Sequence, residues 1–233
     1  MTGVQTCALP IYVVSERDAV RRNIGLVFQD PTLDGYLSGE QNLRFHAELY
    51  GVPRAVTADR IRQVLEMVGL WDRRADLVQT YSGGMKRRLE IARGLLHSPR
   101  VLFLDEPTVG LDPQVRAELW GLIDGLRSQG TTVLMSTHYI EEAERLADEC
   151  ALMSHGRVIA RGAPADLVAE YAGDRVVEHY GPPDRLTEVE RLARASGLPT
   201  RRTGPSVSVL KAETIPPSLE DELGMNRDRK SVV

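Results

Sequence analysis

Basic residues are not in excess: 29 Lys and Arg stand against 33 Asp and Glu, a formal charge of −4 over 233 residues. That excludes a broad basic field for nucleic acid or for an anionic membrane surface. Cysteine is scarce, with only Cys7 and Cys150, too few for a disulfide framework and in keeping with a reducing compartment. Long hydrophobic runs are missing; Val101-Leu102-Phe103-Leu104 is far below the ~20 apolar residues of a membrane-spanning helix. Internal repeats and low-complexity tracts are missing as well. At 42% apolar and 27% charged residues, with 20 Gly and 13 Pro, the composition excludes collagen, a long coiled coil and wholesale disorder. What is left is a soluble, cytosolic α/β protein, long enough to bury a sizeable core without staples.

The two ends read differently from the rest. Residues 1–11, Met-Thr-Gly-Val-Gln-Thr-Cys-Ala-Leu-Pro-Ile, resemble the translation of a short-read sequencing adapter whose first GTG serves as a start codon. Residues 228–233, Asp-Arg-Lys-Ser-Val-Val, resemble the opposite adapter read up to a stop. Matches at both termini, each accounting for a start or a stop, set these segments apart from fold reasoning; the plainer reading is an ordinary leader and tail. On the adapter reading the natural polypeptide spans 12–227, both natural ends are missing, and Cys150 is its one cysteine.

Between those ends, Asn23 to Gln29 is a short apolar strand closed by Asp30-Pro31. A helix from Ser38 carries Leu43, Ala47 and Tyr50 on one face until Gly51-Val52-Pro53 stops it. Thr57 reads as the cap of the next helix, with Ile61, Val64, Leu65 and Val68 at helical spacing up to Gly69. That stripe is core by default, or a face for docking a partner. Ser82 opens a third helix, with Leu89, Ala92 and Leu96 inward and Lys86, Arg87 and Arg88 on its exposed face. The continuous apolar run at 101–104 is expected of a strand covered on both faces of a parallel sheet. Asp112-Pro113 starts a helix that reaches Arg127. A strand at 131–136, a helix at 139–147 and a hairpin through His155-Gly156-Arg157 follow. Alternating strands and helices imply right-handed crossovers and a parallel sheet. Beyond Tyr171 only a helix at 186–195 and a strand at 207–210 stand out, with Pro182-Pro183 and Pro216-Pro217 marking loops.

Several positions suit chemistry on a phosphate ester, though each has a plainer reading. Asp105 and Glu106 arrive at the carboxyl end of a buried strand, where open α/β sheets bind ligands. One carboxylate there can hold Mg²⁺ while its neighbour polarises a water; the plainer reading is a strand ending in solvated acids. Ser82-Gly83-Gly84 at a helix start exposes backbone N–H groups at the positive end of the dipole, or is a cap after a flexible turn. Gln29 could ligate Mg²⁺ or a water, and His138 could donate to a phosphate oxygen. Singly, each is an ordinary polar side chain at a strand end. Asp112 is first of all a helix cap.

In their order, Gln29, Ser82-Gly83-Gly84-Met85, Asp105-Glu106, Leu111-Asp112 and His138 resemble the nucleotide-binding domain of ATP-binding cassette (ABC) proteins. The resemblance runs from about residue 12 to 173, and the stretch 81–113 looks most like the drug- and antibiotic-exporter branch that pairs with ABC-2-type permeases. It implies an α/β fold: an incomplete P-loop NTPase (RecA-like) parallel sheet, an inserted α-helical subdomain at about 30–98 and a small C-terminal accessory region at 174–227. It assigns Gln29 to the Q-loop, Ser82, Gly83 and Gly84 to the signature loop, Asp105 to the Walker B aspartate and Glu106 to the catalytic glutamate. Asp112 falls in the D-loop and His138 on the switch histidine. ATP and Mg²⁺ are the implied cofactors, with Asp105 and Gln29 on the metal. The implied partners are a second nucleotide-binding subunit, arranged head to tail, and a membrane permease, which puts the protein at the cytoplasmic face of the membrane.

One departure stands out. No G-x-x-x-x-G-K-[ST] loop occurs in the chain, and with it go the phosphate-binding Lys and the Mg²⁺-binding hydroxyl. The expectation is therefore an ATPase parent and a chain that, by itself, hydrolyses little or no ATP. Two other classes stay open at this point: a soluble ABC ATPase without a permease, and a non-catalytic interaction module that has lost its P-loop.

Overall fold

The apolar run at 101–104 becomes the middle of a parallel sheet. A computed structural model describes residues 16–173 and 175–212. Both adapter-like termini and the Pro216-Pro217 loop lie outside the described residues. The chain forms two compact units that divide between Glu142 and Ala143.

The first unit runs α1 (Arg17–Asn23), β1 (Ile24–Val27), α2 (Gly39–Leu49), α3 (Arg54–Met67), α4 (Gly83–Leu95), β2 (Val101–Asp105), α5 (Pro113–Ser128) and β3 (Thr132–Ser136). It ends within α6 (Ile140–Leu146). Two short 3₁₀ turns, Trp71–Arg73 and Val78–Thr80, lie between α3 and α4. The three strands are parallel in the order β1-β2-β3, with Ile24 opposite Val101 and Val101 opposite Thr132. All three therefore end on one edge of the sheet.

Side chains alternate between the faces of a strand, so Gly25, Val27, Leu102, Leu104, Val133 and Met135 share one face. Val27, Leu102 and Leu104 are buried there. Helix α4 approaches closely: a Cβ on Gly25 would lie 2.3 Å from the Gly94 carbonyl oxygen. The opposite face carries the row Leu26, Phe103 and Leu134, of which Leu26 and Leu134 are exposed. Coverage of both faces, expected from the apolar run, is thus seen for one face only among the described residues.

Helices α2, α3 and α4 pack on one another through Leu43, Ala47, Ile61, Val64, Leu65 and Leu89, all buried. The stripe Ile61, Val64, Leu65 and Val68 is core, not a docking face. Ser38 closes a capping box with Gln41 at the start of α2. Thr57 does not cap α3: the helix begins one turn earlier, behind Pro53, and the Thr57 hydroxyl donates back to the Pro53 carbonyl at 3.0 Å.

His46 of α2 lies against Tyr50, whose ring stacks on His97 with centroids 4.3 Å apart. Burial, and then the neighbouring Arg93 and His97, lower the His46 pKa from the ordinary 6.5 to about 4. The folded protein thus keeps His46 neutral where the unfolded chain takes up a proton, so stability falls as pH drops from about 6.5 to about 4. For a side chain with partial solvent access the loss is about 1 kcal/mol. Urea midpoints measured across this range should fall less steeply in His46→Gln; an unchanged slope would rule out His46 as the source.

The second unit holds the antiparallel hairpin β4 (Cys150–Ser154) and β5 (Arg157–Gly162), then α7 (Pro164–Tyr171), which packs on β5. It continues with β6 (Val177–Tyr180), α8 (Pro183–Ala195), β7 (Thr200–Thr203) and β8 (Ser206–Val209). The last three strands form an antiparallel sheet in the order β6-β8-β7. Leu186, Val189, Ala193, Leu198, Val207, Val209 and Ala212 make its core with α8. The expected helix and strand here are α8 and β8. Strands β6 and β7 went unforeseen because Val-Glu-His-Tyr and Thr-Arg-Arg-Thr carry no apolar run.

Candidate functional site

The carboxyl ends of β1, β2 and β3 deliver Gln29, Asp105-Glu106 and His138 to the same edge. Gln29 Nε2 donates to Glu106 Oε2 at 3.2 Å, and His138 Nδ1 lies 3.1 Å from Glu106 Oε1. One carboxylate thus holds side chains from the two flanking strands. Ser136, the last residue of β3, donates from Oγ to Asp105 Oδ1 and accepts from the Glu106 N–H at 3.1 Å. Glu106 itself has φ +42°, a left-handed conformation unusual for a residue with a Cβ. Such strain is characteristic of functional turns and costs about 1–3 kcal/mol; here the paired contacts with Ser136 hold it.

His138 is supported from below. Its ring lies 4.2 Å from that of Tyr139, and the Arg116 guanidinium sits 4.4 Å over Tyr139. Glu142, fully buried, accepts from Trp120 Nε1 at 2.9 Å. Both Arg116 and Trp120 belong to α5, so that helix fixes the loop carrying His138.

Ser82, Gly83, Gly84 and Asp112 form a second group. Ser82 Oγ accepts from the Met85 N–H at 3.2 Å and caps α4, while Asp112 Oδ1 accepts from the Val115 N–H at 3.0 Å and caps α5. A Cβ on Gly84 would sit 2.5 Å from Val115 Cγ1. The glycine turn therefore rests on the first turn of the helix that Asp112 opens, with Ser82 and Gly83 exposed.

The donor set suits a hard divalent cation shared with a phosphate. Among the described residues no cluster of three or more His, Cys, Asp and Glu is placed to cage a metal. Mg²⁺ is ordinarily held by one or two protein oxygens together with substrate phosphates; Asp105 and Gln29 each bring a side-chain oxygen to this edge of the sheet.

Residues 5–109 match the ABC transporter family. The chain is 47% identical over 164 residues to the daunorubicin resistance ATP-binding protein DrrA3 of Streptomyces coeruleorubidus, covering 70% of this chain and 52% of that protein. It is 39% identical over 168 residues to the linearmycin resistance ATP-binding protein LnrL of Bacillus subtilis, covering 72% and 54%. Among solved structures, CbiO1 of Clostridium perfringens, part of the ABC transporter complex CbiONQ, superposes with a TM-score of 0.60. It shares 35% identity, with 64% of this chain and 61% of that one covered. Over the matched residues the chain is similar to ABC transporter ATP-binding proteins.

It is similar to drug-resistance ATP-binding proteins and spans about half the length of those relatives. Its parallel sheet with flanking helices is the α/β fold of ABC ATPase domains. Among the described residues no helix is long and apolar enough to cross a membrane.

Within this region the structure adds three residues to those expected. Ser136 is one; its place at a strand end beside Asp105 was the available signal. Arg87 and Glu90 are the others. Arg87 does not lie on an exposed cationic face with Lys86 and Arg88: it is 7% exposed and pairs with Glu90, 2% exposed, at 3.1 Å. A cation followed by an acid three positions later, amid Leu89, Ile91 and Ala92 on α4, is the sequence trace of that pair.

Proposed function

We propose that this chain is part of the ATP-hydrolysing subunit of an ABC exporter whose cargo is a drug, an antibiotic or a related amphipathic compound. The observation that carries the reading is the convergence of Gln29 and His138 on Glu106 from three neighbouring strand ends. In this reading Glu106 orients and deprotonates the attacking water. His138 contacts the γ-phosphate, and Asp105 and Gln29 supply the protein oxygens for Mg²⁺. The cation neutralises charge on the phosphates when bound. Ser82, Gly83 and Gly84 face the nucleotide of a second subunit in a head-to-tail dimer, with Asp112 at that junction; exposed N–H groups at a helix start suit phosphate. Phosphoryl transfer asks mainly for positioning and charge stabilisation, which these parts provide.

The helical region at about 30–98 receives a membrane permease, which holds the subunit at the cytoplasmic face, and closure on ATP biases the permease between its states. The daunorubicin and linearmycin resistance ATP-binding proteins among the relatives support the class of cargo. The whole protein carries a glycine-rich loop ending in Lys-Ser or Lys-Thr ahead of Gln29; this chain, which has none, does not turn over ATP alone. The ABC portion of this proposal runs to about residue 173, with an accessory region at 174–227.

The test is to recover the upstream coding sequence, reconstitute the whole protein with its permease in lipid vesicles and measure ATP hydrolysis. Hydrolysis stimulated by an amphipathic drug is expected. An upstream sequence without the loop, or a reconstituted complex without hydrolysis, would overturn the reading.

A further inference from the structure

Arg87 lies one turn into α4, behind the Ser82-Gly83-Gly84 turn, and its guanidinium reaches both sides of the candidate site. Nε donates to the Pro107 carbonyl at 2.8 Å and Nη2 to the Asp105 carbonyl at 2.7 Å, the two residues that flank Glu106. Nη1 donates to the Phe28 carbonyl, immediately before Gln29, and to Glu90 Oε2. The other oxygen of Glu90 accepts from the Thr32 N–H at 2.9 Å, just beyond Gln29. Arg93, lower on the same helix, donates to the Thr32 carbonyl at 2.9 Å and to its hydroxyl. Gln29 is thus suspended between two backbone clamps, and Glu106 between two carbonyls bound by a single guanidinium.

A planar fork with five donors is suited to this task, since it satisfies several carbonyls at fixed angles where an ammonium offers a point charge. A buried ion pair contributes little net stability over apolar packing, so stability does not account for its presence. Its contacts run to the backbone on either side of Gln29 and Glu106, the residues that meet at 3.2 Å.

We propose that Arg87 and Glu90 form a positioning pair that sets the separation of Gln29 from Glu106 and ties it to the start of α4, so that the glycine turn and the strand-end carboxylate move as one body. The proposal rests on the ATPase reading for its catalytic consequence, and on geometry alone for the clamp.

Two variants test it: Arg87→Met/Glu90→Leu, which replaces the pair by apolar side chains of similar length, and Arg87→Lys, which keeps the charge but loses the fork. Amide hydrogen exchange is followed on the 233-residue chain, and steady-state ATP hydrolysis on the whole protein with its permease. In the double variant, exchange at residues 28–33 and 105–111 is expected to rise about tenfold or more while α2 and α3 stay unchanged. The kcat is expected to fall at least about tenfold with KM for ATP within about twofold, as for a misplaced catalytic group. Arg87→Lys should give the same pattern at smaller amplitude, and it decides the matter if the double variant does not fold. Unchanged local exchange overturns the clamp, and raised exchange with parental kcat overturns the positioning role. If the unsubstituted protein hydrolyses no ATP, the functional reading fails while exchange still judges the clamp.

Discussion

Glu106→Gln is expected to lower the turnover of ATP by the whole protein at least about a hundredfold, roughly 3 kcal/mol of transition-state stabilisation. The amide is nearly isosteric with the carboxylate and retains an oxygen able to accept from Gln29 Nε2, now bound at 3.2 Å. What it loses is basicity. Nucleotide binding should therefore survive, and ATP-bound dimers should accumulate because the step that consumes them is blocked. Size-exclusion chromatography with ATP and Mg²⁺, alongside a single-turnover assay, reads both effects. Turnover within a few-fold of the parent would remove Glu106 from its role, and loss of ATP binding would point to a structural function for the carboxylate.

Gly25→Ala should be the most damaging single methyl group in the first unit. A Cβ there meets backbone, 2.3 Å from the Gly94 oxygen, and Leu102 Cδ1 at 2.9 Å. A flexible side chain can swing aside, whereas this carbonyl belongs to α4 and cannot yield without moving the helix. Overpacking of this kind costs typically about 1–3 kcal/mol, and more where backbone must shift. The urea midpoint should fall accordingly. Because α4 carries Arg87 and Glu90, the same shift would loosen the clamp around Gln29. Gly121→Ala, where an added Cβ meets nothing within 4 Å, is the control; equal loss in both variants would show that the close approach of α4 to β1 is not the cause.

The frame of the molecule was legible because its signals are local. Asp112-Pro113 announces α5, Ser82 announces α4, and the run at 101–104 announces β2. The placement of the candidate site was legible as an ordered set: Gln29, Asp105-Glu106 and His138 each look ordinary alone, yet strand-end placement puts them at one edge. Arg87 was misread because a charged residue between Lys86 and Arg88 looks solvated, and its partners are carbonyls at Phe28, Asp105 and Pro107 that no side-chain pattern encodes. The start of α3 was misplaced because Thr57 is a good cap residue one turn too late, while Pro53, with its fixed φ, set the true beginning. Strands β6 and β7 escaped notice because their place comes from pairing with β8, a long-range contact rather than a property of their own residues.

The order β1-β2-β3 has a kinetic consequence. Val101 finds Thr132 across a single helix, whereas Ile24 must find Val101 across the whole α2–α4 insertion. Closing the longer loop carries the larger entropic cost and slows folding. The β2–β3 pair with α5 is thus expected to assemble first, and β1 to dock last, once α4 has formed the surface it lies on. Gln29 would then reach Glu106 only at the end of folding, so a partly folded chain would hold Asp105, Glu106 and His138 together before the residue that completes them arrives.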